Sequence, residues 1–224
     1  MDKPLQKAIT KLNTHSSETF KSGQVIVSTG KRTKDVYYIT DGYVKVYDLN
    51  DSGDIKIISI LKEGDMFPLI WGFDHPPETA YYYKATGPTS TLRVSTEELK
   101  KALEQDPVVS RTALLQFVYY TWDLMERIKG LQMPYTYEKL LRLFPYLAAK
   151  LGVKRSENVY ELAYNLTQEE IAQLLGATRE SISAHLHKVE DSGAIQRVGK
   201  KITVKISSIP EEYIHEQWFR ESSD

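Results

Sequence analysis

The chain has 224 residues, of which 41% are hydrophobic and 26% are charged, with 29 basic against 30 acidic side chains. This balance is typical of a globular protein and excludes disordered chains, collagen-like chains and coiled-coil rods. The absence of cysteine excludes a disulfide framework, thiolate-ligated iron–sulfur clusters and a cysteine nucleophile. Because the net charge is only −1, any nucleic-acid role must come from local charge.

The N-terminal segment and the hydropathy predict where the protein resides. MDKPLQKAIT contains no apolar signal region, and the longest apolar stretch, Met66 to Phe73, is far shorter than the ~20 residues of a membrane-spanning helix. We therefore expect a cytoplasmic protein with no membrane partner.

From Phe20 to Val94 the sequence consists of short β-rich runs separated by turn residues. Asp41-Gly42 and Glu63-Gly64-Asp65 tolerate turn backbones, and VKVYDL alternates as a half-buried strand does. The runs are QVIVST, DVYYIT, GYVKVYDL, DIKIISIL, TAYYYKAT and STLRV. This pattern predicts an all-β domain over residues 1–106, for which a small barrel or roll is the economical fold.

After this region the apolar periodicity becomes helical. Ser95 and Glu98 have the spacing of a capping box, which predicts a short helix over residues 96–104. Asp106-Pro107 carries the residues preferred at a helix start, so a long helix is predicted from there to Leu131. We assign residues 107–132 to this dimerisation helix.

The long helix is apolar on almost all of its faces. Along one face, five positions recur at spacings of 4, 3, 4 and 3, and we name them the seam residues: Leu114, Val118, Thr121, Met125 and Ile128. A helix without a polar side must be buried on two sides. We expect one face to pack on its own β domain and the seam residues to meet a second copy in a homodimer. The alternative is a helix buried wholly inside a monomer.

Met133-Pro134 breaks the long helix and begins a second domain, residues 133–224. A helix is predicted from Tyr135 to Leu151. Residues 154–166 are expected to form a polar loop with a short strand at Val159 to Leu162.

The segment LTQEEIAQLLGATRESISAHLHKVED has the pattern of two helices joined by a tight turn. Thr167 and Glu170 form a predicted capping box, Gly176 ends the first helix, and Thr178 caps the second. The second helix buries an apolar face (Ile182, Leu186 and Val189) and carries on its outer face Arg179, Glu180, Ser183 and His187. This pattern predicts a helix-turn-helix whose second helix reads the major groove of DNA.

A basic hairpin follows the helix-turn-helix. Strands are predicted from Ala194 to Val198 and from Ile202 to Ile206, joined by a basic wing tip, Gly199-Lys200-Lys201. Six basic and three acidic residues lie between Arg179 and Lys205, so the local field is positive. The predicted DNA contacts are Thr167, Thr178, Arg179, Glu180, Ser181, Ser183, His187, Lys200 and Lys201.

Two long blocks of this chain, in the same order, resemble the Crp/Fnr superfamily of bacterial transcription regulators. The β half resembles its cyclic-nucleotide-binding-like roll through FKSGQVIVSTG, VYYITDGYVKVY, DSGDIKIISILKEGDMF and LRVSTEELKKAL. The C-terminal half resembles its winged helix through LTQEEIAQLLGATRESISAHL and GAIQRVGKKITV. The resemblance implies an α+β fold with an N-terminal antiparallel β-roll as the effector domain (residues 1–106), a long dimerisation helix and a C-terminal winged helix-turn-helix domain. It also implies double-stranded DNA and RNA polymerase as partners.

The resemblance carries base-reading roles to individual residues. Arg179 and Glu180 match positions that read a guanine and accept from a cytosine, and Ser183 matches a position that some members use for a further base contact. These roles agree with the bidentate capacity of arginine for guanine and of a carboxylate for the cytosine amino group. Ala184 stands where the well-known branches have a second base-reading arginine, so the half-site should differ from theirs.

The β half departs from the cyclic-nucleotide members of the family. The Gly-Glu pair for the ribose and the Arg-Ser pair for the cyclic phosphate are missing, and Glu78-Thr79 stands near the second pair. A carboxylate there would repel a cyclic phosphate. An apolar or aromatic effector fits the remaining lining better: Trp71, Phe73, Tyr81, Tyr83, Leu124 and Met125. The alternative is that the tyrosines fill the roll and no ligand binds.

Other functional classes lack the residues that they need. Heme is not expected, because His75 and His15 have no cysteine partner, and no cofactor or metal is predicted. A metal-dependent β-roll enzyme needs two or three histidines, and residues 20–106 hold one. A ligand-sensing regulatory protein that does not bind DNA is the remaining alternative, but it would have no use for a basic wing.

Overall fold

A computed structural model describes residues 4–10, 15–31, 33–68, 78–215 and 218–219. The chain divides into two compact units, Met1–Trp122 and Asp123–Asp224. The helices are α1 (Pro4–Thr10), α2 (Thr96–Gln105), α3 (Pro107–Leu131), α4 (Thr136–Leu151), α5 (Gln168–Leu175) and α6 (Arg179–Asp191). The division between the units falls within α3, while the three-part division of the sequence stays a prediction.

The first unit contains eight described strands in two antiparallel sheets. The strands are β1 (Ser16–Phe20), β2 (Val25–Val27), β3 (Asp35–Asp41), β4 (Tyr43–Leu49), β5 (Ile55–Lys62), β6 (Met66–Phe67), β7 (Tyr82–Ala85) and β8 (Thr89–Ser95). Their order is β1-β8-β3-β6 in one sheet and β2-β7-β4-β5 in the other. The described part of the roll thus has the antiparallel topology that the turn spacing predicts.

Strand β3 supplies two separate apolar clusters because its side chains alternate between its two faces. Val36 and Tyr38 belong to a cluster that includes Leu99 of α2, whereas Tyr37 and Ile39 belong to a cluster with β4. Strand β1 lies before the predicted start of the β region. Its sequence, SSETF, buries only Phe20, so it carries little apolar signal.

Helix α3 begins and ends where the sequence predicts. The Asp106 carboxylate accepts from the amides of Val108 (2.8 Å) and Val109 (3.4 Å), which caps the helix start. Val109 and Ala113 are buried, and the Gln116 side-chain amide donates to the Gly64 carbonyl at 2.6 Å. One face of α3 therefore packs on the β-roll, as expected.

The second unit combines α4, α5 and α6 with one antiparallel sheet. Its strands are β9 (Gly152–Ser156), β10 (Val159–Leu162), β11 (Ile195–Val198) and β12 (Lys201–Lys205), in the order β11-β12-β10-β9. The predicted polar loop is wrong for residues 154–156, which belong to β9. An edge strand whose side chains face solvent shows no apolar alternation, and this is why the sequence did not predict it.

None of the described helices is long and apolar enough to cross a membrane.

Candidate DNA-binding surface

The helix-turn-helix is closed by side-chain caps at both helix starts. Thr167 Oγ1 accepts from the Glu170 amide (3.1 Å), and the Glu170 carboxylate accepts from the Thr167 amide (3.2 Å). Gly176 has a φ of 61°, a left-handed conformation that glycine adopts without steric cost. Thr178 Oγ1 then accepts from the Ser181 amide at 3.2 Å, which starts α6. Each of these caps is predicted by the sequence.

The inner face of α6 fixes the direction of its outer face. Ile182, Leu186 and Val189 are fully buried, and α6 packs on both α4 and α5. A helix advances by about 100° per residue, so this apolar face leaves the opposite side of α6 to solvent. Arg179, Glu180, Ala184 and His187 are exposed there, and Ser183 is half-buried.

Ser181 lies away from this outer face. Its hydroxyl is 3.2 Å from the hydroxyl of Thr136 on α4, and the Ser181 carbonyl contacts His185 Nδ1 at 2.8 Å. The Ser181 side chain therefore holds the start of α6 against α4 rather than facing outward.

The C-terminal end of α6 is hydrogen-bonded to the wing. Arg197 on β11 donates from Nε and Nη2 to the two carboxylate oxygens of Glu190, both at 2.7 Å. These bonds lower the pKa of Glu190, and they raise the pKa of Arg197. His187 Nδ1 lies 3.5 Å from Glu190 Oε2. The sequence does not predict this role of Arg197, because the pairing requires β11 to lie beside the C-terminal end of α6.

The wing tip is shorter than predicted. Val198 pairs with Lys201 across β11 and β12, so only Gly199 and Lys200 form the turn. Gly199 has a φ of 61°, and Lys200 is exposed at the tip. Lys201 is the first residue of β12, and its Nζ lies 3.4 Å from the Glu161 carboxylate. The two lysines therefore have different surroundings.

A groove of about 140 Å³ lies between the start of α5 and the wing. It brings together polar groups from two segments that are distant in sequence. Its lining residues are Asn165, Leu166, Thr167, Gln168, Ile171, Leu186, Arg197, Gly199, Lys200 and Ile202. The Gln168 amide at the start of α5 and the Lys200 ammonium give this groove donors for phosphate oxygens, whereas Arg197 is paired with Glu190. Asn165 and Gln168 were not predicted for this surface.

The predicted effector residues fall into three groups. Tyr81 and Tyr83 pack against the core cluster of β4, with Tyr120 of α3 beside them. Tyr83 stacks on Phe67 with ring centroids 5.1 Å apart, and burial raises the pKa of Tyr83. Trp71 and Phe73 lie outside the described residues. Leu124 is half-buried and Met125 is exposed, and both belong to the second unit.

The fold and this surface define a winged helix-turn-helix protein that carries a β-roll. Residues 17–106 match the family model "Cyclic nucleotide-binding domain", and residues 138–206 match "Crp-like helix-turn-helix domain". The chain belongs to the Crp/Fnr family and is a DNA-binding transcription regulator rather than an enzyme.

Known relatives share this organisation over most of their length. The chain is 21% identical over 185 residues to the "cAMP-activated global transcriptional regulator CRP" of Escherichia coli O6:H1, covering 83% of this chain and 87% of the relative. It is 26% identical over 190 residues to a "CRP-like cAMP-activated global transcriptional regulator" of Mycobacterium tuberculosis, covering 84% and 83%.

Solved structures show the same fold. A CooA mutant from Carboxydothermus hydrogenoformans matches with a TM-score of 0.75 and 20% identity, over 90% of this chain and 89% of that one. FixK2 from Bradyrhizobium japonicum matches with a TM-score of 0.71 and 20% identity, over 85% of this chain and 92% of that one.

Proposed function

We propose that this regulator binds an inverted DNA repeat as a homodimer. The observation that carries the proposal is the exposure of the seam residues. Leu114, Val118, Met125 and Ile128 are between 53% and 60% exposed in a single copy. A row of exposed large apolar side chains along one helix indicates an interface. A two-fold dimer presents two recognition helices, so its half-sites should be centred about one helical turn (~34 Å) apart.

Within each half-site, the first turns of α6 supply the base contacts. The exposed guanidinium of Arg179 can donate two hydrogen bonds to guanine O6 and N7, and Glu180 can accept from a cytosine amino group. Ser183 supplies a third contact one turn further along. The Ser181 side chain is not assigned to base reading, because it faces Thr136.

Phosphate contacts surround this reading face. The groove between α5 and the wing offers the Gln168 amide and Lys200 to one strand, and it is also lined by Thr167, whose hydroxyl donates to Glu170. Thr178 and His187 flank the outer face of α6 and extend this contact. These groups fix the position of the recognition helix without specifying sequence.

Selection from random duplexes tests this proposal. We expect an enriched inverted repeat and two chains per duplex. Enrichment of a site without dyad symmetry, or no enrichment by a folded chain, would contradict it.

Because a transcription regulator acts on chromosomal DNA, we also infer a cytoplasmic protein that contacts RNA polymerase.

We further propose that the effector is not a cyclic nucleotide. Names of family relatives include both cAMP-activated and c-di-GMP-responsive regulators, so family membership does not fix the ligand. In this chain, Glu78 is exposed near the expected phosphate position, and the Thr79 hydroxyl donates to the Ser28 carbonyl. The single hydroxyl proton of Thr79 is therefore used by the protein itself.

Calorimetric titration with cyclic AMP tests this point. We expect no saturable binding, because a desolvated phosphodiester needs a cation or several N–H donors. Micromolar binding that strengthens DNA affinity would show that Glu78 does not occupy the phosphate position.

For the roll, we propose an apolar or aromatic effector bound beside Tyr81 and Tyr83. A second candidate is a roll that binds no ligand. It is favoured by a series of neighbouring rings, Phe20–Tyr37–Phe67–Tyr83, whose successive centroids are 6.1, 5.4 and 5.1 Å apart. Hydrogen exchange over residues 78–85 distinguishes a roll that binds an effector from a roll that binds no ligand. Slower exchange with a small aromatic acid supports an effector, whereas unchanged exchange across a panel of such acids supports a filled roll.

A further inference from the structure

The last turns of α3 bury charged side chains within the second unit. Glu126 is 3% exposed and Arg127 is 7% exposed. Asp123 and Glu126 form ion pairs with α4, through Lys150 and Arg142 respectively, each with a nitrogen–oxygen distance of 2.6 Å. These contacts fix the end of α3 to α4.

Arg127 contacts a different element. Its Nη2 donates to the carbonyl oxygen of Leu174 at 2.7 Å, and Leu174 lies in the last turn of α5. Carbonyl groups in a last turn have no helical amide as a partner, and they carry the negative end of the helix dipole. A buried guanidinium is therefore a well-matched donor for this oxygen.

The surroundings of Arg127 show that its charge is held in an unfavourable place. Burial lowers the pKa of Arg127, while Tyr146 and Asp123 act in the opposite direction. The guanidinium carbon lies 5.9 Å from the centre of the Tyr146 ring. Taking a charge out of water is costly unless the contacts of the charged group offset that cost. The reason for an arginine at this position must therefore lie in what it contacts.

The position of Leu174 gives that reason. Two residues further along, Gly176 begins the turn that leads to Thr178 and the recognition helix. The Arg127 bond therefore joins the helix that carries the seam residues to the end of α5, just before α6 begins. Any rotation of α3 in the dimer would act on this carbonyl.

We propose that Arg127 is a positioning residue that sets the orientation of the recognition helix relative to α3. This inference rests on the proposed function, because orientation matters only when two recognition helices must match two half-sites. Because Arg127 is buried, it acts through Leu174 and the turn that follows.

The test compares Arg127→Met, Arg127→Lys and a control, Arg111→Met, which removes the same charge from an exposed position on the same helix. Binding is measured on the duplex selected by the wild-type chain and on a scrambled duplex, with active fractions determined by stoichiometric titration. We expect Arg127→Met to lose about tenfold or more of its affinity for the selected duplex, the size expected for a charged hydrogen bond. Its affinity for the scrambled duplex should not change.

The lysine variant and the control complete the comparison. Arg127→Lys keeps a donor and should recover part of the lost specificity, whereas Arg111→Met should match the wild type. Equal losses on both duplexes would indicate a merely structural role and overturn the inference. If Arg127→Met retains its specificity, the inference about Arg127 is wrong but the proposed function stands. If the wild-type chain has no preferred duplex, the proposed function is wrong as well.

Discussion

The two units of this regulator bury different kinds of side chain. Among the described residues, the buried polar positions of the first unit are serine and threonine: Ser59, Thr79, Thr89 and Thr91. In the second unit they are charged: Glu126, Arg127 and Arg142. Both units have apolar cores, to which the first unit adds stacked rings and the second adds directional, charged hydrogen bonds.

The two kinds of contact differ in what they fix. Apolar packing is non-directional and tolerates exchange of side chains of similar volume. Charged hydrogen bonds fix angles and distances between the helices that they join. Substitutions in each unit test this contrast.

Val118→Glu on α3 should have the largest effect, because it places a charge within an apolar interface. We expect dissociation at micromolar concentration and loss of DNA binding, measured by sedimentation and fluorescence anisotropy. Tyr119→Glu is the matched control, since it alters the adjacent exposed residue on a different face. A Val118→Glu chain that stays dimeric would show that the seam residues are not the interface.

Arg179→Ala should weaken binding to the selected duplex by ~1–3 kcal/mol and relax the preference at one base position. Arg179→Lys keeps the charge but loses the two-pronged donor, so it should relax the same position. The measurement is a repeat of the random-duplex selection with each variant. Unchanged preferences in both variants would remove Arg179 from base reading.

Lys200→Ala and Lys201→Ala separate the two basic positions of the wing. Lys200 is exposed at the tip, so its removal should lower the slope of log affinity against log salt by about 0.9. Lys201 already faces Glu161, so its removal should lower the slope by less. Identical slopes would mean that the Glu161 contact does not persist on DNA.

Glu190→Gln should have the smallest effect, a loss of ~0.5–1 kcal/mol in unfolding free energy, because the Arg197 pair is partly exposed. The pKa of Glu190 is lowered in the folded chain, so its contribution is present above the unfolded pKa of ~4.3 and is lost as the pH falls through the folded pKa. Urea unfolding at neutral and acid pH measures this. An equal difference between variant and wild type at both pH values would contradict the assignment.

Much of the fold could be predicted because local signals agree with the tertiary structure. The caps at Asp106, Thr167 and Thr178, and the end of α5 at Gly176, lie where the sequence places them. The edge strands β1 and β9 were missed. In β1 the half-buried positions are polar, and in β9 almost every side chain is exposed, so neither sequence alternates between apolar and polar residues. Only pairing with a neighbouring strand identifies them.

The sequence predicts which residues lie on the candidate DNA-binding surface, but it does not predict which residues they are hydrogen-bonded to. The outer face of α6 follows from helical periodicity, as the exposed Arg179 and Glu180 show. The contacts of Ser181 with Thr136 and of Glu190 with Arg197 join elements whose approach depends on the whole unit. No local pattern contains that information.

The mass of the complex on duplexes with two half-sites or one tests directly whether the chain binds DNA as a dimer. Native mass spectrometry or light scattering with the selected duplex gives the number of bound chains. We predict two chains on the full inverted repeat and a large loss of affinity when one half-site is scrambled. A single chain that binds one half-site with undiminished affinity would contradict binding as a dimer.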